Sequence, residues 1–285
     1  MGAVGFIGLG NIGAPMARRL LAWPDGLVVH DVRPDACDRY VAKGATAAAT
    51  PGEVAAAAEV ICVMVQNEEQ VRSVLDGPDG ILATAGAGTV VVVHSTISSA
   101  GAVSLAELAG AAGVELVDAP VSGGAMGAHD GTLAIMLGGT DEAVERCRGP
   151  LSLMGSLIEH FGPVGSGTNA KIARNLITFA SFAVVGEAQR LAEAAGLDVA
   201  KLGEVVRHSD RVTGGAGAVM LRPSAATLAD DDGLRPIFEH TATLGGKDLL
   251  LAVDLGEQLG VATPFAELAA ARLRSALGLD DEPAS

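Results

Sequence analysis

A chain of 285 residues has room for one large domain or two moderate ones, with an ample core. Hydrophobic residues supply 49% of it but aromatics only 3%, and there are 38 glycines, so an aliphatic core with close helix–sheet packing is expected. The formal net charge of −15 argues against a nucleic-acid or anionic-membrane partner, because polyanions would be repelled at long range. A small anionic substrate stays open, since it responds to the field of a pocket rather than to the global sum.

The first part alternates short β-branched runs with helical stretches. AVGFIGL (3–9), LVVHD (27–31), a short piece at 45–47, EVICVMV (59–65), TVVVVHS (89–95), VELVDAP (114–120) and TLAIML (132–137) read as strands. Helical stretches fall near 12–22, 34–43, 67–75 and 98–112. Strands that are apolar throughout are covered on both faces, which predicts a doubly wound α/β domain of the Rossmann type with a parallel sheet. Residues 80–106 carry no Asp, Glu, Lys or Arg, but Gly86, Gly88, His94, Ser95, Thr96 and Gly101 break the run too often for a membrane span.

After residue 163 the pattern becomes helical. A long stretch at 168–195 ends at Gly196, a suitable residue for a left-handed helix stop, and further helices are expected at 198–208, 236–259 and 264–278. The first half of the long helix is apolar on every side and reads as buried, while Glu187, Arg190 and Glu193 mark a wetter second half. The Gly-rich, then acidic segment 209–235 fits no element. The expected organisation is a nucleotide-binding domain over 1–163 and an all-helical domain over 164–285 for substrate and oligomerisation, joined by the long interdomain helix. Cys37, Cys62 and Cys147 form no CxxC or Cys/His set, so neither a disulfide framework nor a metal site is expected, and a reducing compartment is. With no basic leader and cleavage motif, a cytoplasmic protein is the expectation.

GLGNIG (8–13) is a G-x-G-x-x-G placed directly after the first strand and at the mouth of the first helix. Gly8 would make the tight turn, Gly10 would let the backbone approach a pyrophosphate, and Gly13 would let the helix pack on the strand, with Leu9, Asn11 and Ile12 completing the loop. The helix N-terminus offers N–H groups and a positive dipole end to phosphates. Asp31, at the end of the second strand, suits the adenosine ribose hydroxyls and favours NAD; Arg33, two residues on, keeps NADP as the alternative.

DAPVSGGAMGAHDGTL (118–133) follows the sixth strand, with Ser122-Gly123-Gly124 at its carboxyl end, where open α/β sheets bind ligands. A hydroxyl and adjacent backbone N–H groups there suit a carboxylate, and an unliganded flexible loop is the competing reading. In NAKIARN (169–175), Lys171 and Asn175 share a helix face that continues into Thr178 and Phe182. A lysine in that setting is either an ordinary surface charge or a partly desolvated ammonium with its pKa lowered toward proton-transfer use.

GFIGLGNIGAPMA, DAPVSGGAMGAHDGTL, GSGTNAKIARN and GGKDLLLA (245–252), in that order and spacing, resemble the β-hydroxyacid dehydrogenase family, over nearly the whole chain. The resemblance implies an NAD(P)-dependent oxidoreductase acting on a small 3-hydroxy acid or its semialdehyde, assembled as a homodimer or homotetramer. It implies Lys171 as the catalytic acid/base, Ser122, Gly123 and Gly124 as the carboxylate site, and Asn175 as a second substrate contact. Ser95 and Thr96 would lie near the nicotinamide, with Val65 and Gln66 beside the cofactor. Lys247 would close over cofactor and substrate, with Asp248 orienting it. Gln66 departs from the family's usual proline, and His94, where the family often has Asp, reads as a neutral strand-end histidine. An imine reductase on the same fold, or a non-catalytic NAD(P)-binding sensor, are the alternatives.

Overall fold

The computed structural model describes residues 2–279. The chain divides into two compact units, residues 1–174 and 175–285, and the division falls inside one long helix.

In the first unit the elements run β1 (Ala3–Ile7), α1 (Gly13–Leu20), β2 (Leu27–His30), α2 (Asp38–Val41), β3 (Thr46–Ala47), α3 (Pro51–Ala57), β4 (Ala58–Val63), α4 (Glu68–Asp76), β5 (Val90–Val93), α5 (Ser99–Ala111) and β6 (Glu115–Asp118). The six strands form one parallel sheet in the order β3-β2-β1-β4-β5-β6. The order reverses beside β1, which puts the glycine turn after β1 at the topological switch point. Alternate residues of each strand feed two cores. Phe6, Val29, Cys62 and Val92 pack toward α1, whereas Ile7, Val28, Ile61 and Val91 pack toward α3, α4 and α5. Both faces are therefore apolar, as the continuous valine runs require.

Apart from the strand at TLAIML, the remainder of this unit holds elements that apolar runs do not reveal. β7 (Val121–Ser122), α6 (Gly124–Asp130), β8 (Leu133–Leu137), α7 (Asp141–Leu151) and β9 (Gly155–His160) follow β6. TLAIML does not extend the parallel sheet. It forms β8 at the centre of a second, three-stranded sheet, antiparallel to β7 and parallel to β9. The sequence GSLIEH of β9 is mostly exposed, so it carries no buried-strand signature. The short α3 is announced by a cap instead: Thr50 accepts from the Glu53 N–H at 3.1 Å, Glu53 accepts from the Ala49 N–H at 2.7 Å, and Pro51 stands at the first helical position.

α8 (Ser166–Ala194) leads into the helical unit, followed by α9 (Val199–Thr213), α10 (Arg235–Leu259) and α11 (Pro264–Ala276). Asp198 caps α9, which runs beyond the expected 208 to Gly214 in the left-handed conformation (φ +89°). The unassigned segment thus begins with helix, and Gly215–Val219 adds one 3-10 turn. The core of this unit gathers Leu228, Phe238, Ala242, Leu277 and Leu279. Glu187, 4% exposed, accepts from the Phe265 and Ala266 N–H groups at 3.1 and 3.0 Å and so caps α11 from α8.

One expectation fails. The apolar first half of α8 is not buried within the chain: Leu176, Phe179 and Phe182 are 71, 60 and 63% exposed. All-round apolarity predicts a covered helix, and this chain's own core does not supply the cover. Among the described residues, no helix is long and apolar enough to cross a membrane.

Candidate active site

The glycine turn is shaped by contacts that admit no side chain. Gly8 has φ +96°, and a Cβ there would collide with the Met64 carbonyl; one on Gly13 would collide with the carbonyl of Gly8. At Gly10, by contrast, a Cβ would meet nothing within 4 Å, so the turn is open on the side where a ligand would approach. No side chain caps α1; the Ala14 N–H donates to the Gly10 carbonyl at 2.9 Å and Pro15 has no N–H, which leaves the Gly13 N–H and the positive end of the helix dipole at this loop. Leu9 is buried, Ile12 half-buried and Asn11 exposed.

Asp31 is bonded into this turn. Its carboxylate accepts from the Leu9 N–H at 2.7 Å and from the Arg33 N–H at 2.9 Å, with the Arg33 Nε at 3.4 Å. Burial opposes its ionisation, but these N–H bonds and the Arg33 guanidinium outweigh it and hold the carboxyl below its ordinary value. The acid therefore orients the loop. An open glycine cradle, an uncapped helix start and an ionised acid at the end of β2 fit an adenine dinucleotide.

At the ends of β4 and β5, Ser95 is buried, and its hydroxyl donates to the Val65 carbonyl at 2.8 Å and accepts from the Val65 N–H at 2.9 Å. It fastens the two strand ends together. Thr96 and Gln66 are exposed, and the Gln66 N–H donates to Gln70 Oε1 at 2.9 Å.

Next to Ser95, His94 is 1% exposed and stacks on Phe6 with ring centroids 6.4 Å apart. Its Nδ1 lies 2.8 Å from the Ala119 carbonyl, which can only accept, so Nδ1 carries the proton. Nε2 has no partner among the described residues. Burial pulls the imidazole down to about 4, only partly offset by the Ala119 bond, which agrees with a neutral strand-end histidine. An unfolded chain takes up this proton near 6.5, whereas the folded one resists until about 4. Stability is thus complete above the unfolded value and is lost as pH falls through that window, by about 3 kcal/mol in all. Urea unfolding at pH 7.5 and 4.5 should show His94→Asn losing less stability on acidification than the parent. Equal losses would overturn the assignment.

The segment after β6 gathers the remaining groups. Asp118, 1% exposed, accepts from the Gly165 N–H at 2.7 Å and the Thr168 N–H at 2.6 Å, and so caps the start of α8 from the end of β6. Gly138 and Gly167 permit this approach, since a Cβ on either would strike backbone of the other's segment. Three residues past the cap, Lys171 is only 9% exposed, and its Nζ donates to the Val121 carbonyl at 2.6 Å. Burial lowers its pKa, with Arg174 adding to the effect. Ser122 follows directly, paired to Ala134 in β7, and Gly123 and Gly124 (φ +133° and +63°) are exposed where α6 begins. Ser122–Gly124 is therefore not a loose loop: β7 and α6 fix both ends. Asp118 is a residue that the sequence reading missed. Its signal was an acid at the end of an apolar strand, which needs a buried partner.

In the helical unit, Asn175 is half-buried on α8, and Lys247 is exposed on α10 with its Nζ 3.3 Å from Asp248 Oδ1.

A doubly wound sheet with a glycine cradle at its switch point, an ionised acid at the end of β2 and a buried lysine beside a serine–glycine turn defines a nicotinamide-dependent oxidoreductase. Two family models cover nearly the whole chain: the NAD-binding domain of 6-phosphogluconate dehydrogenase over residues 3–162, and the NAD-binding domain of NADP-dependent 3-hydroxyisobutyrate dehydrogenase over residues 165–283. The chain belongs to the β-hydroxyacid dehydrogenase family, and its cofactor is NAD(P). An uncharacterized oxidoreductase of Mycobacterium tuberculosis is 52% identical over 284 residues, covering 99% of this chain and 96% of that one. The 3-hydroxyisobutyrate dehydrogenase of Pseudomonas aeruginosa is 37% identical over 270 residues, covering 93% and 89%. A crystal structure of an oxidoreductase from Mycobacterium avium superposes with a TM-score of 0.93 at 45% identity, covering 98% and 99%. An imine reductase from Streptomyces aurantiacus, at 21% identity, TM-score 0.74 and coverage of 95% and 93%, shares the fold.

Proposed function

We propose that this enzyme transfers hydride between NAD and a small 3-hydroxy acid or its semialdehyde, with Lys171 as acid/base. The observation that carries the reading is the buried Lys171 ammonium, held 2.6 Å from the Val121 carbonyl and adjacent to Ser122, Gly123 and Gly124. A substrate carboxylate accepts hydrogen bonds from the serine hydroxyl and the glycine N–H groups, which brings its carbinol toward the lysine. Lys171 in its neutral form takes the hydroxyl proton during oxidation, and as the ammonium returns it during reduction. The nicotinamide, when bound, accepts or supplies the hydride. Gly8–Gly13, Asp31, Arg33, Val65, Gln66, Ser95 and Thr96 hold that cofactor, and Asn175 and Lys247 are further contacts from the helical part. Asp31 supports NAD over NADP, because a 2′-phosphate would meet a second negative charge there. The alternative imine reductase reading is supported by fold alone.

The test follows absorbance at 340 nm with NAD, then NADP, and 3-hydroxyisobutyrate, glycerate, serine and 3-hydroxypropionate, with the semialdehydes run in reverse. Turnover on one of them with NAD supports the reading. Tight NAD binding with no turnover on any of them overturns it in favour of a non-catalytic sensor.

In this proposal residues 1–163 bind the nucleotide, and residues 164–285 bind substrate and carry the oligomer contacts. Exposed Leu176, Phe179 and Phe182 on α8 are too apolar for a face left in water, and they support a homodimer or homotetramer. Light scattering should return a multiple of 28.5 kDa; a mass of one chain would overturn the assembly. Three buried free thiols, Cys37, Cys62 and Cys147, support a reducing, cytoplasmic setting.

A further inference from the structure

Outside the catalytic region, α1, α2 and α6 enclose an open cleft of about 250 Å³ on the first unit. Arg18 of α1, Arg39 of α2 and Lys43 just beyond it line the cleft, along with His129 of α6, and no carboxylate does. Tyr40 lies among them, 3% exposed, its hydroxyl donating to the Ala14 carbonyl at 2.7 Å. The Arg39 guanidinium sits 5.2 Å from the Tyr40 ring centroid. Burial raises the Tyr40 phenol, and the positive charges of Arg39 and Arg18 partly oppose that rise. The His129 ring bridges the cleft wall, with Nε2 3.5 Å from the Arg18 guanidinium and Nδ1 2.8 Å from Asp130 Oδ1.

Three cations therefore line one concavity in a chain of net charge −15, with no acid among its lining residues. Crowded like charges repel unless an anion lies between them. Two guanidinium forks match a tetrahedral oxyanion, and an ammonium adds a third charge-assisted donor. The cleft is too small for a dinucleotide, and it shares none of the cofactor residues named above. Ala14, Pro15 and Leu21 give it an apolar margin that inorganic phosphate leaves uncovered.

We propose that this cleft is a binding site for a phosphate dianion, borne by inorganic phosphate or by a small phosphomonoester, separate from the dinucleotide and substrate sites. The site stands independently of the substrate reading, because it involves none of the residues assigned to turnover.

The test is isothermal titration of the full-length protein, saturated with NAD, using inorganic phosphate in one arm and glycerol 3-phosphate in the other. Saturable one-to-one binding is expected in at least one arm, weakened about tenfold or more by Arg18→Ala and by Arg39→Ala. Tighter binding of glycerol 3-phosphate identifies an organic phosphate as the ligand, and equal or weaker binding identifies free phosphate. Both side chains are exposed, so the variants should keep their fold, and unchanged NAD affinity would verify it. No saturable binding in either arm, binding that both substitutions leave untouched, or binding that appears only when NAD is absent would each overturn the site.

Discussion

Lys171→Met should lower kcat by about 10²- to 10⁴-fold, the usual contribution of a positioned acid/base, with NAD affinity preserved. Methionine is close in length to lysine and suits a side chain that is only 9% exposed, so the fold should survive and a titration of NAD should look like that of the parent. The pH profile makes the test sharper. Oxidation requires the neutral amine, so its rate should rise as pH climbs through the Lys171 pKa, and burial puts that rise below the value for a free lysine. Reduction requires the ammonium and should fall over the same range. Both limbs should vanish from the residual activity of Lys171→Met. Lys171→Arg should be as damaged in oxidation as Lys171→Met, because a guanidinium keeps its proton. Near-parental turnover in either variant would remove the lysine from the mechanism.

The second large effect is expected at Asp118. Truncation to Ala strips two short bonds from the start of α8 and leaves the Gly165 and Thr168 N–H groups unpaired in a dry setting. Two hydrogen bonds to a carboxylate and two stranded donors together amount to about 3–5 kcal/mol of lost stability. Activity should fall as well, by about 100-fold, because Lys171 lies less than one turn beyond the cap and a displacement of about 1 Å is enough for that. Asp118→Asn keeps one acceptor and turns an amide N–H toward the other donor, so it should fall between the parent and Ala in both respects. Urea unfolding and steady-state kinetics on the three proteins check this. A stability loss below about 1 kcal/mol in Asp118→Ala would show that the cap contributes no more than a surface hydrogen bond.

The sequence announces the parallel sheet because its strands are buried on both faces: VVVV at 90–93 has few other uses. GLGNIG is legible for a similar reason, since contacts at Gly8 and Gly13 exclude a Cβ and Gly10 leaves the turn open. What escapes is whatever depends on partners distant in sequence. β9 looks polar because it is largely exposed, and β7 is two residues long and exists only by pairing with β8. Asp118 could be seen as an acid at a strand end, but the helix start it caps lies 47 to 50 residues further on. The apolar half of α8 misleads in the opposite direction. Apolarity marks a surface that is unfavourable in water without recording what would cover it, and within this chain Phe179 and Phe182 meet each other edge to face and are otherwise largely exposed.

The short path from Asp118 to Ser122 bears on how this protein could be re-engineered. Asp118 grips α8, the Val121 carbonyl receives Lys171, and Val121 and Ser122 pair with Ile135 and Ala134. Adding or deleting one residue between them would turn every following side chain and carbonyl to the opposite face. This stretch should therefore tolerate exchange of side chains but not a change of length. A library that aims for new substrates should vary composition here and keep insertions for segments with no register to preserve, such as the irregular stretch between α9 and α10.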